Sequence, residues 1–314
     1  YYKGIESHVQ LCNTLILTYR IDYNEYTGGA HGIYMSTFLN LDLKTLSPIH
    51  LGDLFEGDYK EALTDLLWKQ LMADNNVSTR QELEDMGYAT TGDLEPIEVF
   101  KSGKICYIDK PIGATLGDAI AIYEMAEKYN APVFSSSALR FTPQNQKLRN
   151  GEFGKILGAD CYSPHKVEPT HPDFGFYGIH GVETLYTIMG TGCESVNRMS
   201  SDRGDVVVGR WKDGRIGTFR AIIKGPQIYG GTAYTSKGAV AAGGYQGYKA
   251  LLEQILKYFQ TGISPISKEE TIEIFTFMKA SNMSKAENGR IVTLEEAYQK
   301  GLKDARKLIK TYKK

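Results

Sequence analysis

The sequence is poor in cysteine, in long hydrophobic runs and in net charge, and each shortage excludes a class of protein. Its four cysteines lie far apart among 314 residues, so neither a disulfide framework nor a structural zinc site is expected. No segment approaches the roughly 18 consecutive apolar residues of a transmembrane helix. The formal net charge of −1 excludes a globally basic nucleic-acid-binding protein. With 42% hydrophobic residues, the chain can still form a sizeable buried core.

The near-neutral total conceals two parts of opposite charge. Residues 1–100 carry 16 acidic and 6 basic side chains, a net charge of −10. Residues 101–314 carry 21 acidic and 30 basic side chains, a net charge of +9. A change of sign at one point indicates two units of different origin. The chain begins Tyr1-Tyr2, without an initiator methionine or a signal-peptide pattern, which is typical of a fragment or a processed form.

The first unit has the pattern of a small α+β domain. Alternating Val, Ile, Leu, Thr and Tyr residues predict one strand over 9–23 and another over about 33–43. A helix is predicted from about residue 59 to residue 73, because leucines recur there every three or four residues. The leucines that form its apolar stripe are Leu63, Leu66, Leu67 and Leu71.

The second unit combines a short α/β segment with a larger α+β region. Apolar strands predicted at 105–108 and 132–136 flank an amphipathic helix over 115–129, a pattern that predicts a parallel pair with a right-handed crossover. From about residue 155 onwards, the order of elements predicts a mainly antiparallel sheet with helices on one face. The strands expected there are 156–162, 206–211, 217–223 and a Gly-rich stretch near 229–244, and the helices are 178–189, 246–260, 268–280 and 294–311.

Three separated motifs of residues 101–314 resemble those of the Gfo/Idh/MocA oxidoreductases. Asp109-Lys110-Pro111 follows a short strand, as the E/D-K-P motif of that family follows a core Rossmann strand, and an S-x-x-R-F-like segment comes after it. YGIHGVETLYTIMG, over 177–190, resembles the G-x-H-x-x-(D/E) helix of the family. Residues 264–285 resemble its closing helices. These motifs occur in the family's order.

The resemblance implies a Rossmann remnant over 101–141 and a substrate and oligomerisation domain over 142–314. The implied activity is hydride transfer between NAD or NADP and a hydroxyl of a small sugar or polyol. It favours the cytoplasm for this larger part, while the compartment of the whole chain stays open, and it is compatible with a homo-oligomer formed through the open sheet. Residues 1–100 are instead similar to the RsiV-like extracytoplasmic domain of bacterial envelope proteins, whose common role is not catalytic. The segments that carry this second resemblance are EYTGGAHG, FLNLDLKT and LGDLF.

The resemblance to the oxidoreductases also assigns candidate site residues. Lys110 would lie beside the nicotinamide and the substrate hydroxyl, where it could relay a proton, and Pro111 would stiffen its turn. His180 would hydrogen-bond the hydroxyl as general base, and Glu183, one helical turn later, would orient its imidazole. The candidates for lining the substrate cleft are Arg140, Tyr162 and Tyr177.

Structural roles remain open for all of these residues, and no metal ligand is assigned. Lys110 also fits a surface lysine in a turn, and His180 a buried histidine with satisfied hydrogen bonds. His165 and His171 share a loop without convergent spacing, so we expect no metal there. His31 is most simply a turn residue.

The motif that the sequence lacks weighs most heavily on function. No G-x-G-x-x-G turn, which would present helix N-terminal amides to a dinucleotide pyrophosphate, lies between a strand and a helix. Gly28-Gly29 precedes a strand, and the stretch at 229–244 lacks the Lys-Ser/Thr of a P-loop. We therefore expect a dehydrogenase-derived chain with impaired cofactor binding. The alternative is a non-catalytic envelope or assembly protein.

Overall fold

The computed structural model describes residues 2–12, 15–26, 33–45, 47–49, 53, 60–85, 100–101, 103–166 and 173–311. The chain divides into two compact units, Tyr1–Gly92 and Asp93–Lys314, each of which is described by itself. No helix within the described ranges is both long and apolar enough to cross a membrane. The division expected from the sequence, at residues 100 and 141, stays a prediction.

The first unit contains an antiparallel sheet and two helices. Its strands, which pair in sequence order, are β1 (Tyr2–Cys12), β2 (Ile16–Tyr26), β3 (Ile33–Asp42) and β4 (Ser47–Pro48). The helices are α1 (Lys60–Asp74) and α2 (Arg80–Asp85). The predicted second strand and the predicted helix are thus confirmed to within a residue or so at each end. The apolar stripe of α1 is less buried than expected, because Leu66 and Leu67 are each 62% exposed.

The single strand predicted over 9–23 is wrong, because two strands lie there. β1 ends at Cys12 and β2 begins at Ile16, and they form an antiparallel pair with Cys12 opposite Leu17. The apolar alternation continues through this region of the sequence, so periodicity alone does not mark the reversal.

The second unit starts with the short parallel pair that the sequence predicted. The elements are β5 (Cys106–Tyr107), α3 (Leu116–Lys128) and β6 (Val133–Phe134). β5 and β6 run parallel, and α3 connects them. α3 begins at a capping box in which Thr115 and Asp118 satisfy each other's backbone N–H groups. Among the described residues, β5 has β6 as its sole strand neighbour.

A seven-stranded sheet forms the centre of this unit. Its strands are β7 (Ile156–Pro164), β8 (Cys193–Ser200), β9 (Gly204–Trp211), β10 (Ile216–Ile222), β11 (Gly230–Thr235), β12 (Gly238–Ala242) and β13 (Val292–Thr293). They lie in the order β12-β11-β7-β10-β9-β8-β13. Only the β7–β10 pairing is parallel, which confirms the mainly antiparallel sheet.

The predicted helices are present, and several further elements were missed. The remaining helices are α4 (Pro143–Arg149), α5 (Gly178–Met189), α6 (Lys249–Thr261), α7 (Lys268–Ala286) and α8 (Leu294–Thr311). The sequence analysis missed α4 and the 3-10 helix Ala138–Phe141 that precedes it. It also missed β8, whose polar residues Glu194, Ser195 and Asn197 conceal its alternation.

α5 packs unusually closely against the sheet, and this packing positions the candidate site. A Cβ atom at Gly181 would lie 2.3 Å from the Phe219 ring of β10 and 2.8 Å from the Ser163 hydroxyl of β7. Farther along, the Tyr186 ring lies 5.7 Å from the Trp211 ring. The first turn of α5 is therefore fixed against the carboxyl end of β7.

Candidate active site

Lys110 lies in the loop that follows β5 and reaches the segment before α5. Its Nζ donates a hydrogen bond to the Phe176 carbonyl oxygen at 3.2 Å. The same Nζ lies 5.6 Å from the centre of the Tyr177 ring. Pro111 follows directly and is half-buried. The carboxyl end of β5 is thus connected to the start of α5.

His180 lies in the first turn of α5 and shares a neighbour with Lys110. Its ring centre is 6.1 Å from that of Tyr177 and 5.6 Å from that of Tyr229. Its Nδ1 lies 2.7 Å from the Ser137 hydroxyl oxygen. Lys110 and His180 are far apart in sequence, yet both contact Tyr177. The structure therefore brings together three of the predicted site residues.

The surroundings favour the uncharged forms of both basic groups. Burial lowers the pKa of Lys110, although the charges of Asp109 and Glu183 act in the opposite direction. Burial also lowers the pKa of the His180 imidazole well below its usual range, and the positive charge of Lys110 lowers it further. At neutral pH, His180 is therefore an uncharged imidazole.

Glu183 has a different position from the one expected. Instead of contacting His180, its buried carboxylate accepts hydrogen bonds from the Ser136 hydroxyl, from the Ser137 backbone N–H at 2.9 Å and from Arg140 Nε at 2.8 Å. Helical spacing placed the two side chains on neighbouring positions but could not identify the partner that each one meets. In the described part of the chain, Ser137 thus connects Glu183 to the imidazole.

Arg140 lies beneath the site rather than in the cleft. Its side chain is 1% exposed and bridges Glu183 and Glu270, with Nη1 at 2.7 Å from Glu270. Arg149 adds a second cation, 2.7 Å from Glu270. Burial opposes the charge of Arg140, but the two glutamates outweigh it and raise its pKa. This buried network holds the Glu183 carboxylate, which accepts a hydrogen bond from the Ser137 backbone N–H, and the Ser137 hydroxyl contacts His180.

Tyr162 is not brought to the site. It lies on β7 between the buried residues Cys161 and Ser163, so its side chain is on the opposite face of the sheet from α5. Its register partner on β10 is the exposed Arg220. A period of two residues separates the faces of a strand, but the sequence did not show which face carried the helices.

Ser137 is the main site residue that sequence analysis missed. It is fully buried and follows β6, the strand beside β5. The signal was the run Ser135-Ser136-Ser137, because polar residues at the carboxyl end of a parallel strand lie where ligands bind.

One group of residues has the composition of a metal site, but its charges are already paired. Ligand atoms of His165, Asp173 and Asp205 lie within 4.8 Å of one another. Arg198 contacts both aspartates, and Lys285 Nζ lies 3.5 Å from Asp205. A divalent ion there would meet two existing cations, so the group does not fit a metal well.

The remaining candidates lie outside the described residues, so their predicted roles are not tested. They are His31, which was expected to be a turn residue, His171, which was expected not to bind a metal, and the pair Gly28-Gly29.

The described residues do not fit the pyrophosphate of a dinucleotide. The first helix after β5 is α3, and its N-terminus is occupied by the Asp118 carboxylate, which accepts hydrogen bonds from the Thr115 N–H and hydroxyl at 2.8 and 3.0 Å. A carboxylate already lies where a phosphate would bind. The chain before the helix also packs closely on it, because a Cβ atom at Gly113 would lie 2.7 Å from Asp118 Cβ. Among the described residues, the candidates therefore lie at the substrate end of the site.

Comparison with known proteins shows the fold. No protein-family model and no curated protein matches the chain. It is similar to the solved structure of a probable dehydrogenase from Thermotoga maritima, with 22% identity and a TM-score of 0.56 over 64% of this chain and 76% of that one. It is also similar to a myo-inositol dehydrogenase from Lactobacillus casei, solved with NAD(H) and myo-inositol, with 12% identity and a TM-score of 0.52 over 63% and 73% of the two chains.

A different protein matches a smaller share of the chain. It is a member of the DUF3298 family from Bacteroides fragilis, 72% identical over 29% of this chain and 36% of that one, with a TM-score of 0.27. The chain thus spans about a third of that protein. The expected resemblance to Gfo/Idh/MocA-type dehydrogenases is confirmed as a likeness of fold over about 64% of the chain.

Proposed function

We propose that the second unit binds a sugar or polyol at a dehydrogenase-derived site and holds the reacting hydroxyl beside Lys110 and His180. The observation that carries this proposal is the convergence of both residues on Tyr177, at the carboxyl end of β5. Ligands of open α/β sheets bind at that end of the strands. The related myo-inositol dehydrogenase was solved with a polyol, which supports the substrate class.

The site is suited to the proton step of alcohol oxidation. Removing a hydroxyl proton requires a base within hydrogen-bonding distance whose pKa is near the working pH. Lys110, with its lowered pKa, and the neutral His180 are the two candidates. The fold family uses NAD or NADP for the hydride, but the residues described here do not fit the dinucleotide. We infer that the isolated chain recognises its substrate and is impaired as a dehydrogenase.

A non-catalytic envelope or assembly protein is the second candidate function. It is favoured by the carboxylate at the start of α3 and by the net charge of −10 in residues 1–100.

Under either proposal, the open face of the large sheet, with Tyr162 and Arg220, is the surface through which we expect a homo-oligomer. Sedimentation velocity of wild type and Arg220→Glu would test that assembly.

Calorimetric titration tests the proposed function. We expect myo-inositol or a related polyol to bind wild type, Lys110→Ala to weaken that binding at least tenfold, and Lys224→Ala, a variant of an exposed lysine paired with Asp202, to leave it unchanged. Titration with NADH or NADPH should give no saturable change in nicotinamide fluorescence. The substrate proposal fails if no sugar or polyol binds. Micromolar binding of a nicotinamide dinucleotide would overturn the inferred impairment.

A further inference from the structure

We infer that Ser137 holds His180 in the tautomer with its proton on Nε2, so that His180 donates a hydrogen bond to the substrate oxygen and Lys110 accepts the proton. This inference rests on the proposed function and assigns Ser137 as a positioning residue. It also changes the role of His180, which the sequence analysis expected to be the general base.

The hydrogen-bonding capacity of the Ser137 hydroxyl determines the tautomer. A serine hydroxyl has one proton to donate and two lone pairs that accept. Ser137 Oγ already accepts the Leu139 N–H at 3.2 Å, and its other contact is His180 Nδ1 at 2.7 Å. If the hydroxyl donates to Nδ1, its proton and one lone pair are both used. If Nδ1–H donated instead, the proton of a fully buried hydroxyl would have no acceptor among the described residues.

The charge state of His180 completes this step. Burial lowers the pKa of the imidazole well below its usual range, so at pH 7.5 the ring is neutral and carries one proton; a positive charge on Lys110, when present, acts in the same direction. With Nδ1 accepting from Ser137, that proton is on Nε2. Within the described part of the chain, the side-chain hydrogen bond of His180 is the one at Nδ1, and the residue is partly exposed. The Tyr177 and Tyr229 rings pack edge-on against the imidazole and limit its rotation.

Ser137 is itself held by charged residues that do not touch the imidazole. Its backbone N–H donates to Glu183 at 2.9 Å, and Arg140 donates to the same carboxylate at 2.8 Å. The groups around the ring are thus Lys110 from the loop after β5, Tyr177 from the start of α5, Tyr229 before β11 and Ser137 after β6. Of these, Lys110 is the group whose positive charge, when it is protonated, acts on His180.

A neutral imidazole that presents an N–H cannot take a proton at that nitrogen. It can polarise or orient the substrate oxygen as a donor. Lys110, whose Nζ lies 5.6 Å from the centre of the Tyr177 ring that also packs on His180, is then the remaining basic group of the site, and burial lowers its pKa toward the range in which an amine accepts a proton.

Nuclear magnetic resonance of the full ¹⁵N-labelled chain tests the tautomer without substrate or cofactor. Long-range ¹H–¹⁵N spectra at pH 7.5 should show a protonated Nε2 and an unprotonated Nδ1 for His180, identified by the signals that are lost in His180→Gln. Ser137→Ala should give a mixture of tautomers and a higher His180 pKa, because the neutral form loses a hydrogen bond. Ser281→Ala, which removes an equally buried hydroxyl on α7, should change neither property.

A protonated Nδ1 in wild type would overturn the inference, as would an unchanged tautomer in Ser137→Ala. If Ser137→Ala does not fold, the wild-type spectrum alone decides the question. Failure of polyol binding would count against the proposed function and would not alter this spectrum, so the two failures are distinguishable.

Discussion

The buried Arg140 network predicts a large loss of stability when its central cation is removed. Arg140→Met would leave Glu183 and Glu270 without the guanidinium that bridges them. Removing one partner of a buried ion pair costs about 3–5 kcal/mol. Arg149 still neutralises Glu270, and Ser137 still donates to Glu183. We therefore expect a loss at the lower end, about 3 kcal/mol, which corresponds to a decrease in Tm of roughly 6–12 °C for a unit of this size.

Urea unfolding monitored by tryptophan fluorescence measures this loss in the second unit. The two tryptophans are Trp68 in α1 and the buried Trp211 in β9, so a Trp68→Phe background reports on the second unit alone. Arg149→Met is the matched control, because that side chain is 33% exposed and Glu270 retains Arg140. We expect the control to lose about 1 kcal/mol, the usual upper value for a partly solvated pair. Equal losses in the two variants would refute the reasoning.

The same network predicts the direction of a pH effect. Burial acts to raise the pKa of Glu270, but Arg140 and Arg149 outweigh it and lower that pKa. A carboxyl group with a lowered folded-state pKa stabilises the protein above its unfolded pKa of about 4.3, and this contribution disappears as the pH falls through the folded pKa. The difference in stability between wild type and Arg140→Met should therefore shrink below about pH 4.

Two further predictions concern packing and thiol accessibility. Gly181→Ala should destabilise the second unit by about 1–3 kcal/mol in urea titrations, because its Cβ would lie 2.3 Å from the Phe219 ring; an unchanged unfolding midpoint would contradict the close approach of α5 to the sheet. Iodoacetamide at pH 8 should label the exposed Cys12 before Cys193, because burial raises the pKa of the Cys193 thiol to about 12. Peptide mass spectrometry would check the order, and faster labelling of Cys193 would contradict it.

Elements with a clear period could be predicted from the sequence, and elements fixed by tertiary contacts could not. The spacing of apolar residues placed α5 at 178–189, as observed. It gave no sign that β1 and β2 are separate strands, because the alternation continues from one into the other. β13, only two residues long, is defined by its pairing with β8 and has no period of its own.

The candidate site shows the same division. Motifs identified Lys110 and His180, because each belongs to a short stretch of sequence: Lys110 comes directly after a strand, and His180 lies in the first turn of a helix. The partners of their side chains depend on which segments meet in space, so Ser137 was missed and Glu183 was given the wrong neighbour. The sequence analysis assigned Tyr162 to the cleft from its position in the chain alone. Neighbouring residues of a strand lie on opposite faces of the sheet, and Tyr162 lies on the face away from α5.

Stability measurements should separate the residues that support the fold from those that serve chemistry. Arg140 stabilises the second unit, whereas Lys110 has a lowered folded-state pKa and so costs stability wherever the unfolded lysine is still protonated. Lys110→Met should therefore raise the urea midpoint at pH 7, and the gain should shrink as the pH rises toward about 10.4, where the unfolded lysine also loses its proton. The exposed Lys224→Met should show neither change. A lower midpoint in Lys110→Met would mean that its hydrogen bond to Phe176 outweighs the cost of burial, and that Lys110 is a structural residue.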